Sequence, residues 1–269
     1  MIIAQISDLH LRTDGQLLKG KVDTMAALEA AIEHLNALSP RPDLVLATGD
    51  LVNKAHVQDY QIMRREFDRI KIPVFVIPGN HDDRDMMRRN FENLGYLPKN
   101  GAFLHYTLED HPLRLIALDT KREDHDGGEM CMDRLEWLEE TLSAQPDRPT
   151  LIFMHHPPFK SGIGFMDKRP FVNADKLETI IRRNSQIVGI VCGHMHRNIS
   201  VAWGGTIACV APSLVFQMTM DFTTGSSSSF MLEPAACPVF LWNEDNGLIA
   251  HCSLIGDYGP PNSFVVDPL

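Results

Sequence analysis

Five short clusters of metal-seeking side chains follow apolar runs in this chain: Asp8-Leu9-His10, Gly49-Asp50, Gly79-Asn80-His81-Asp82, His155-His156 and Gly193-His194-Met195-His196. Carboxylates and imidazoles are costly to bury unless something pairs with them. Placed at one end of successive strands, they gather on one surface. Carboxylate, amide carbonyl and imidazole are also the donors that suit borderline divalent ions. The absence of Cys from the set favours open catalytic positions over a closed structural zinc site. Taken singly, each cluster has a plainer reading: Asp8-x-His10 as a solvated strand end, Gly49-Asp50 as a turn, Asn80 as a left-handed residue, and His194-x-His196 as two exposed imidazoles. Taken jointly, their shared placement after strands favours a metal-binding surface.

The elements that must position them alternate. Apolar runs at Ile2 to Ile6, Leu44 to Ala47, Val74 to Ile77, Leu113 to Leu118, Leu151 to Met154, Ile187 to Cys192 and Ile207 to Val210 read as strands. Between the first two, Val22, Met25, Leu28, Ile32, Leu35 and Leu38 recur at helical spacing, closed by Pro40 and Pro42. Val57, Tyr60, Met63, Phe67 and Ile70 predict a second helix, Leu135, Leu138 and Leu142 a third, and the segment from Asn173 or Ala174 to Asn184 a fourth. Asp83 reads as the cap of a further helix beginning at Arg84 or Asp85. This alternation predicts an α/β fold with helices packed on sheet faces. After Ser213 the character changes. A polar stretch, Gly225 to Ser229, is followed by short strands at Phe230 to Leu232, Val239 to Trp242 and Leu248 to Leu254, the last two joined by a turn at Glu244 to Gly247. The expected division is a catalytic domain over 1–212 and a C-terminal β extension over 213–269, acting as a cap or an oligomer contact.

Composition narrows the function. With 269 residues, 44% of them apolar, the chain can bury a substantial core. A formal net charge of -10 argues against a nucleic-acid polymer as partner. It leaves room for a small anionic substrate, because bound divalent ions reverse the local field. The five cysteines, with no C-x-x-C among them, suit a reducing cytosol. Cys192 and Cys209 read as small core residues. Met1-Ile2-Ile3-Ala4 runs directly into Asp8 without the look of a secretory leader, and no apolar run approaches the roughly 18 residues of a membrane span. A cytoplasmic location without a membrane partner is the expectation. No G-x-S-x-G or nucleotide P-loop is present.

The ordered series D-x-H, G-D, G-N-H-D, H-H, G-H-x-H resembles that of the calcineurin-like metallophosphoesterases, from Ile2 to about His196. Asp50-Leu51-Val52-Asn53, the doubled Asp82-Asp83 and Met154-His155-His156-Pro157-Pro158 look most like the bacterial glycerophosphodiesterase and class III cyclic-nucleotide phosphodiesterase branch. The resemblance implies a four-layer α-β-β-α sandwich. It assigns Asp8, His10, Asp50 and His196 to one metal, and Asp50, Asn80, His155 and His194 to the other. Asp50 would bridge them, since a shared carboxylate offsets the repulsion between neighbouring cations. Two divalent ions, from among iron, manganese, zinc and cobalt, would be the cofactors.

The resemblance further implies phosphodiester hydrolysis, with a hydroxide held by the metals attacking phosphorus in line. His81 would be the catalytic residue, contacting the phosphate or protonating the leaving alkoxide; its plainer role is to orient Asp82 or Asp83. Asn53 and His81 are candidate substrate contacts. His156 is a third, although strand alternation turns it away from His155 and makes a buried hydrogen-bonded role an equal reading. Lys19 and Lys21 fall in a segment that can wall a pocket, where the glycerophosphodiesterase branch would carry aromatic residues; near Phe216 that branch would carry a histidine. Phe216 and Phe222 suit either stacking on a nucleobase or a place in the core. The expected substrates are small phosphodiesters, glycerophosphodiesters or cyclic nucleotides. Competing readings are a dedicated 3',5'-cyclic-nucleotide phosphodiesterase, a nuclease, and a noncatalytic scaffold of the same fold. The nuclease is disfavoured by charge, and the scaffold by the complete ligand set. A dimer or larger homo-oligomer is expected through the region after the core.

Overall fold

The computed structural model describes residues 1–123 and 125–263. Fifteen strands and five α-helices follow one another in it. The strands are β1 (Ile2–Ile6), β2 (Leu44–Thr48), β3 (Val74–Ile77), β4 (Tyr106–Leu108), β5 (Arg114–Leu118), β6 (Lys121–Arg122), β7 (His125–Gly128), β8 (Thr150–Met154), β9 (Ile187–Cys192), β10 (Ile199–Trp203), β11 (Thr206–Val210), β12 (Gln217–Met218), β13 (Phe230–Met231), β14 (Ala236–Asn243) and β15 (Gly247–Leu254). The helices are α1 (Thr24–Ala37), α2 (Val57–Phe67), α3 (Arg84–Phe91), α4 (Met132–Ser143) and α5 (Ala174–Arg183).

Two sheets carry the fold. The first runs β15-β14-β1-β2-β3 and the second β10-β11-β9-β8-β5-β4. Their centres are parallel: β1 with β2, β2 with β3, β5 with β8, β8 with β9 and β9 with β11. Antiparallel strands close three of the four edges, β15, β10 and β4, while the fourth, β3, is parallel. Strands such as β2, β5 and β8 are buried along their whole length, which is why they read in the sequence as unbroken apolar runs. The helices turn single apolar stripes inward, Leu28, Ala31, Ile32 and Leu35 on α1 and Leu177, Ile180 and Ile181 on α5. Asp83 caps α3 as expected, its carboxylate accepting from the Met86 amide at 2.8 Å. The result is an α/β sandwich, as the alternation of elements predicts, with its apolar core shared by the sheets and helices.

Between the sheets, the buried Gln5 amide donates to Thr48 Oγ1 on β2 at 2.9 Å and to the Cys192 carbonyl on β9 at 2.8 Å. That pair of bonds fixes the strand ends of one sheet against those of the other. Residues after Ser213 supply β12 to β15, and β14 pairs with β1 to continue the first sheet. Among the described residues no helix is long and apolar enough to cross a membrane.

The candidate metal centre

The candidate ligands sit where parallel strands end. Asp8 and His10 follow β1, Asp50 follows β2, Asn80 follows β3, His155 follows β8, and His194 and His196 follow β9. Both sheets therefore deliver donors to the same crevice at their carboxyl ends. The backbone there is unusual. Of the seven non-glycine residues with positive φ among the described residues, five are candidate ligands: Asp8 (53°), His10 (45°), Asp50 (52°), His194 (69°) and His196 (47°). A left-handed non-glycine residue costs about 1 to 3 kcal/mol and persists where the surroundings over-determine it, as they do at functional sites. These turns reverse the chain at the strand ends.

Close backbone approach permits the turns to nest. A Cβ on Gly79 would lie 2.2 Å from Asp50 Oδ1, and one on Gly193 would lie 2.0 Å from Ser7 Oγ. The Asp82 carboxylate accepts from the amides of Leu51 (3.2 Å), Val52 (3.4 Å) and Gly79 (2.9 Å) and from the Tyr60 hydroxyl (3.1 Å), binding the Asp50 loop to the Asn80 loop. Burial, reinforced by the Asp50 charge, pushes this carboxyl up to about 6.

The donor atoms converge. His10 Nε2 lies 3.1 Å from His196 Nε2, and His196 Nε2 lies 3.2 Å from Asp8 Oδ1. His155 Nε2 lies 3.2 Å from Asn80 Oδ1 and 3.4 Å from Asp50 Oδ2. Asp50 joins the two groups, its Oδ2 being 3.7 Å from His10 Nε2 as well. His194, His155 and His156 form a further cluster whose donor nitrogens lie within 4.8 Å of one another. The far ring nitrogens are held by backbone: His155 Nδ1 donates to the Thr48 carbonyl at 2.7 Å and His196 Nδ1 to the Phe216 carbonyl at 3.1 Å. Each bond keeps a proton on Nδ1 and turns the opposite Nε2 toward the crevice.

Unpaired atoms bear on whether this donor set fits a cation. His194 Nε2 and His156 Nε2 are buried and have no hydrogen-bond partner, and an unsatisfied buried polar group costs about 1 to 3 kcal/mol. Burial drives the His10 and His194 imidazoles down to about 3, and His156 well below its usual range, so all three keep free lone pairs. Burial also opposes ionisation of Asp8 and Asp50, yet neighbouring imidazoles, His196 for Asp8 and His155 for Asp50, hold both below the usual carboxylate range. His155 is the exception among the rings. Despite its burial, Asp50 raises it to about 9, so that in the metal-free protein this ring carries a proton beside the buried carboxylate. Two anionic carboxylates, an amide oxygen and several neutral imidazoles suit divalent ions of borderline softness.

The sequence profile described as calcineurin-like phosphoesterase matches residues 1–198. The chain belongs to the calcineurin-like phosphoesterase family. A protein of Arcobacter nitrofigilis named as a probable glycerophosphodiester phosphodiesterase GpdQ is 35% identical, over 98% of this chain and 97% of its own length. The 3',5'-cyclic adenosine monophosphate phosphodiesterase CpdA of Escherichia coli K12 is 28% identical over 80% of this chain and 76% of its own. A dimetal phosphatase from Danio rerio, 13% identical, superposes over 95% of this chain and 99% of its own with a TM-score of 0.62, a likeness of fold. The expected metallophosphoesterase resemblance, phosphodiesterase branch included, agrees with these relatives.

Around the centre of this phosphoesterase lies a cleft of about 290 Å³. His10, Asp50, Asn80, His194 and His196 form its floor, and Asn53, His81 and Lys19 one side. His81 Nδ1 lies 2.8 Å from the Asn53 carbonyl, to which it donates, and the His81 amide donates to Asp50 Oδ1 at 2.8 Å. His156 does not line the cleft. It is buried, its Nδ1 2.9 Å from Thr120 Oγ1, which supports the hydrogen-bonded reading over the direct substrate contact. Phe216 does line it, its ring 4.7 Å from that of His196, whereas Phe222 is exposed elsewhere. Lys21 is not among the lining residues. Sequence reasoning missed Phe165, Arg169, Asp126 and Phe230 in the same wall. Arg169 stacks 4.3 Å from the Phe165 ring centroid and reaches Asp126 at 3.4 Å. Phe165 and Arg169 lie in a loop, Asp126 on β7 and Phe230 on β13, all remote from the strand-end motifs, and no local pattern marks them as cleft residues.

Proposed function

We propose that this phosphoesterase hydrolyses small phosphodiesters at a two-cation centre whose ligands are Asp8, His10, Asp50, Asn80, His155, His194 and His196. The observation that carries the reading is the convergence of these seven side chains from two sheets, with Asp50 shared between two groups of donors. Two divalent ions bound there would supply Lewis acidity to the phosphoryl oxygens and acidify a water nucleophile. Iron, manganese, zinc and cobalt all suit the donors.

The chain's own part is positioning and proton transfer. The Asn53 carbonyl keeps a proton on His81 Nδ1, so that Nε2 is the atom that meets substrate. In the imidazolium form Nε2 donates its proton to the departing alkoxide, which is otherwise a poor leaving group. Asn53 lines the same side and holds that ring in place. A cleft of about 290 Å³ favours a small molecule over a polymer, in keeping with the net charge of -10.

Glycerophosphodiesters and cyclic nucleotides are the substrate classes of the named relatives. Phe165, Phe216 and Phe230 in the wall also accommodate a nucleobase, and that favours dedicated 3',5'-cyclic-nucleotide hydrolysis as the second reading. Five free thiols favour the cytoplasm. Residues 213–269 are read as an extension that carries an oligomer contact, supported by exposed Met220, Phe222 and Leu232. The test is a rate comparison on metal-loaded protein of glycerophosphoethanolamine, 3',5'-cyclic AMP, 2',3'-cyclic AMP and a simple phosphomonoester. A preference above about tenfold, roughly 1.4 kcal/mol of barrier, selects the substrate class. Turnover of the monoester alone would overturn the diesterase reading.

A further inference from the structure

The tight turn before α1 holds a lysine where its backbone favours a different residue. The Leu18 amide donates to the Val22 carbonyl at 2.8 Å, and the Val22 and Lys21 amides donate to the Leu18 carbonyl at 3.1 and 3.0 Å. The two residues at the tip, Lys19 (φ 52°) and Gly20 (φ 67°), are both left-handed. Such a turn takes Asn or Gly first by preference, because a long side chain is strained there. Lys19 is the one left-handed non-glycine residue, among the described residues, that is neither a candidate ligand nor an asparagine. Strain of this kind persists where the surroundings over-determine it, and it clusters at functional sites. Here the anchor is Leu18, buried against Val215 and Phe216. It holds the turn on the wall of the cleft over the candidate centre, with Lys19 exposed there.

Lys19 and Arg169 are the lysine and arginine of that cleft, and Asp50 and Asp126 are its carboxylates. Arg169 lies over the Phe165 ring and reaches Asp126 at 3.4 Å, so its charge is answered. Asp50 belongs to the candidate ligand set, beside His10 and His155. Among the described residues neither carboxylate pairs with Lys19. We propose that Lys19 receives an anionic group on one arm of the substrate, a carboxylate or a phosphate separate from the phosphorus under attack. The scissile diester carries a single negative charge, which the proposed cation pair would meet, and the lysine is left over for a second anion. Neither a glycerol arm nor a 3',5'-cyclic nucleotide carries such a group. This assignment rests on the diesterase reading and adds the substrate class: small diesters that bear a further negative charge.

Three diesters that share a methyl arm isolate the charge: 2-carboxyethyl, 2-carbamoylethyl and 2-(phosphonooxy)ethyl methyl phosphate. The carboxylate and the carboxamide match in size and differ in charge, and phosphorus NMR follows each diester to its monoester. Metal-loaded wild-type protein is expected to favour an anionic ester over the carboxamide by about fivefold or more in kcat/KM, the upper end for an ion pair open to water. The larger of the two factors tells a carboxylate site from a phosphate site. Lys19→Met should bring that ratio close to one. Lys19→Gly relieves the strained turn and carries the same expectation, so it stands in if Lys19→Met does not fold. A ratio retained in the folded variants, including by equal loss on charged and neutral esters, overturns the proposal. Wild-type turnover without preference for either anionic ester overturns the Lys19 site alone, whereas turnover of none of the three overturns the diesterase reading with it.

Discussion

His81 and His155 sit a few ångströms from the same carboxylate and do different work. The His81 side chain is exposed at the cleft, and only its backbone amide bonds Asp50, so removing the ring leaves the ligand set whole. His81→Ala should therefore bind its metals as wild type does, by elemental analysis, while kcat on a diester falls by about 10²- to 10⁴-fold, the usual contribution of a positioned acid. An unchanged kcat would remove its catalytic role. His155 is buried, and Asp50 outweighs that burial to raise it to about 9. A raised histidine stabilises the metal-free fold fully below its ordinary value of 6.5, and that stabilisation is lost as pH rises through about 9. A cation must displace the same proton. Metal uptake at pH 7 should thus release about one proton per chain, and affinity should rise about tenfold per pH unit toward pH 9. Calorimetry in buffers of different ionisation enthalpy reads this directly; uptake without proton release would contradict it.

At the scale of elements, the loops after the strands decide the site. Gly79 packs so closely on the Asp50 turn that Gly79→Ala places a methyl 2.2 Å from Asp50 Oδ1. That substitution should leave the far-ultraviolet circular dichroism of the sheets and helices intact while metal content falls; full occupancy would mean that the turn yields more easily than its packing suggests. The strand ends were legible in the sequence because buried parallel strands are unbroken apolar runs and each is followed by its polar cluster. Other elements were not. β10 is half-exposed and alternates, with Ile199, Val201 and Trp203 better covered than Ser200 and Ala202, and it has no apolar run to announce it. β4 spans three residues, and β6 with β7 forms a short hairpin containing two glycines. β5 was legible as the run Leu113 to Leu118, but how it tolerates the buried cation Arg114 was not, because its partner Glu109 at 2.9 Å is visible only in three dimensions. The same limit hid the cleft wall, since Phe165 and Arg169 from a loop and Phe230 from β13 meet the centre through tertiary packing rather than through spacing.

For the whole molecule, the donor set concentrates backbone strain and buried polarity, and a bound cation would neutralise the buried charge. Five candidate ligands occupy left-handed backbone, and among the donor set the buried His10 Nδ1 and His194 Nε2 lack partners. A cation present at about 100 times its dissociation constant would add about 2.7 kcal/mol to stability, so the centre couples the fold to the chemistry. The most direct measurement is metal content and diesterase rate on one preparation, before chelation, after it, and after manganese or cobalt is returned. The account predicts two ions per chain, loss of turnover on their removal, and recovery on their return; full turnover by the metal-free protein would contradict it.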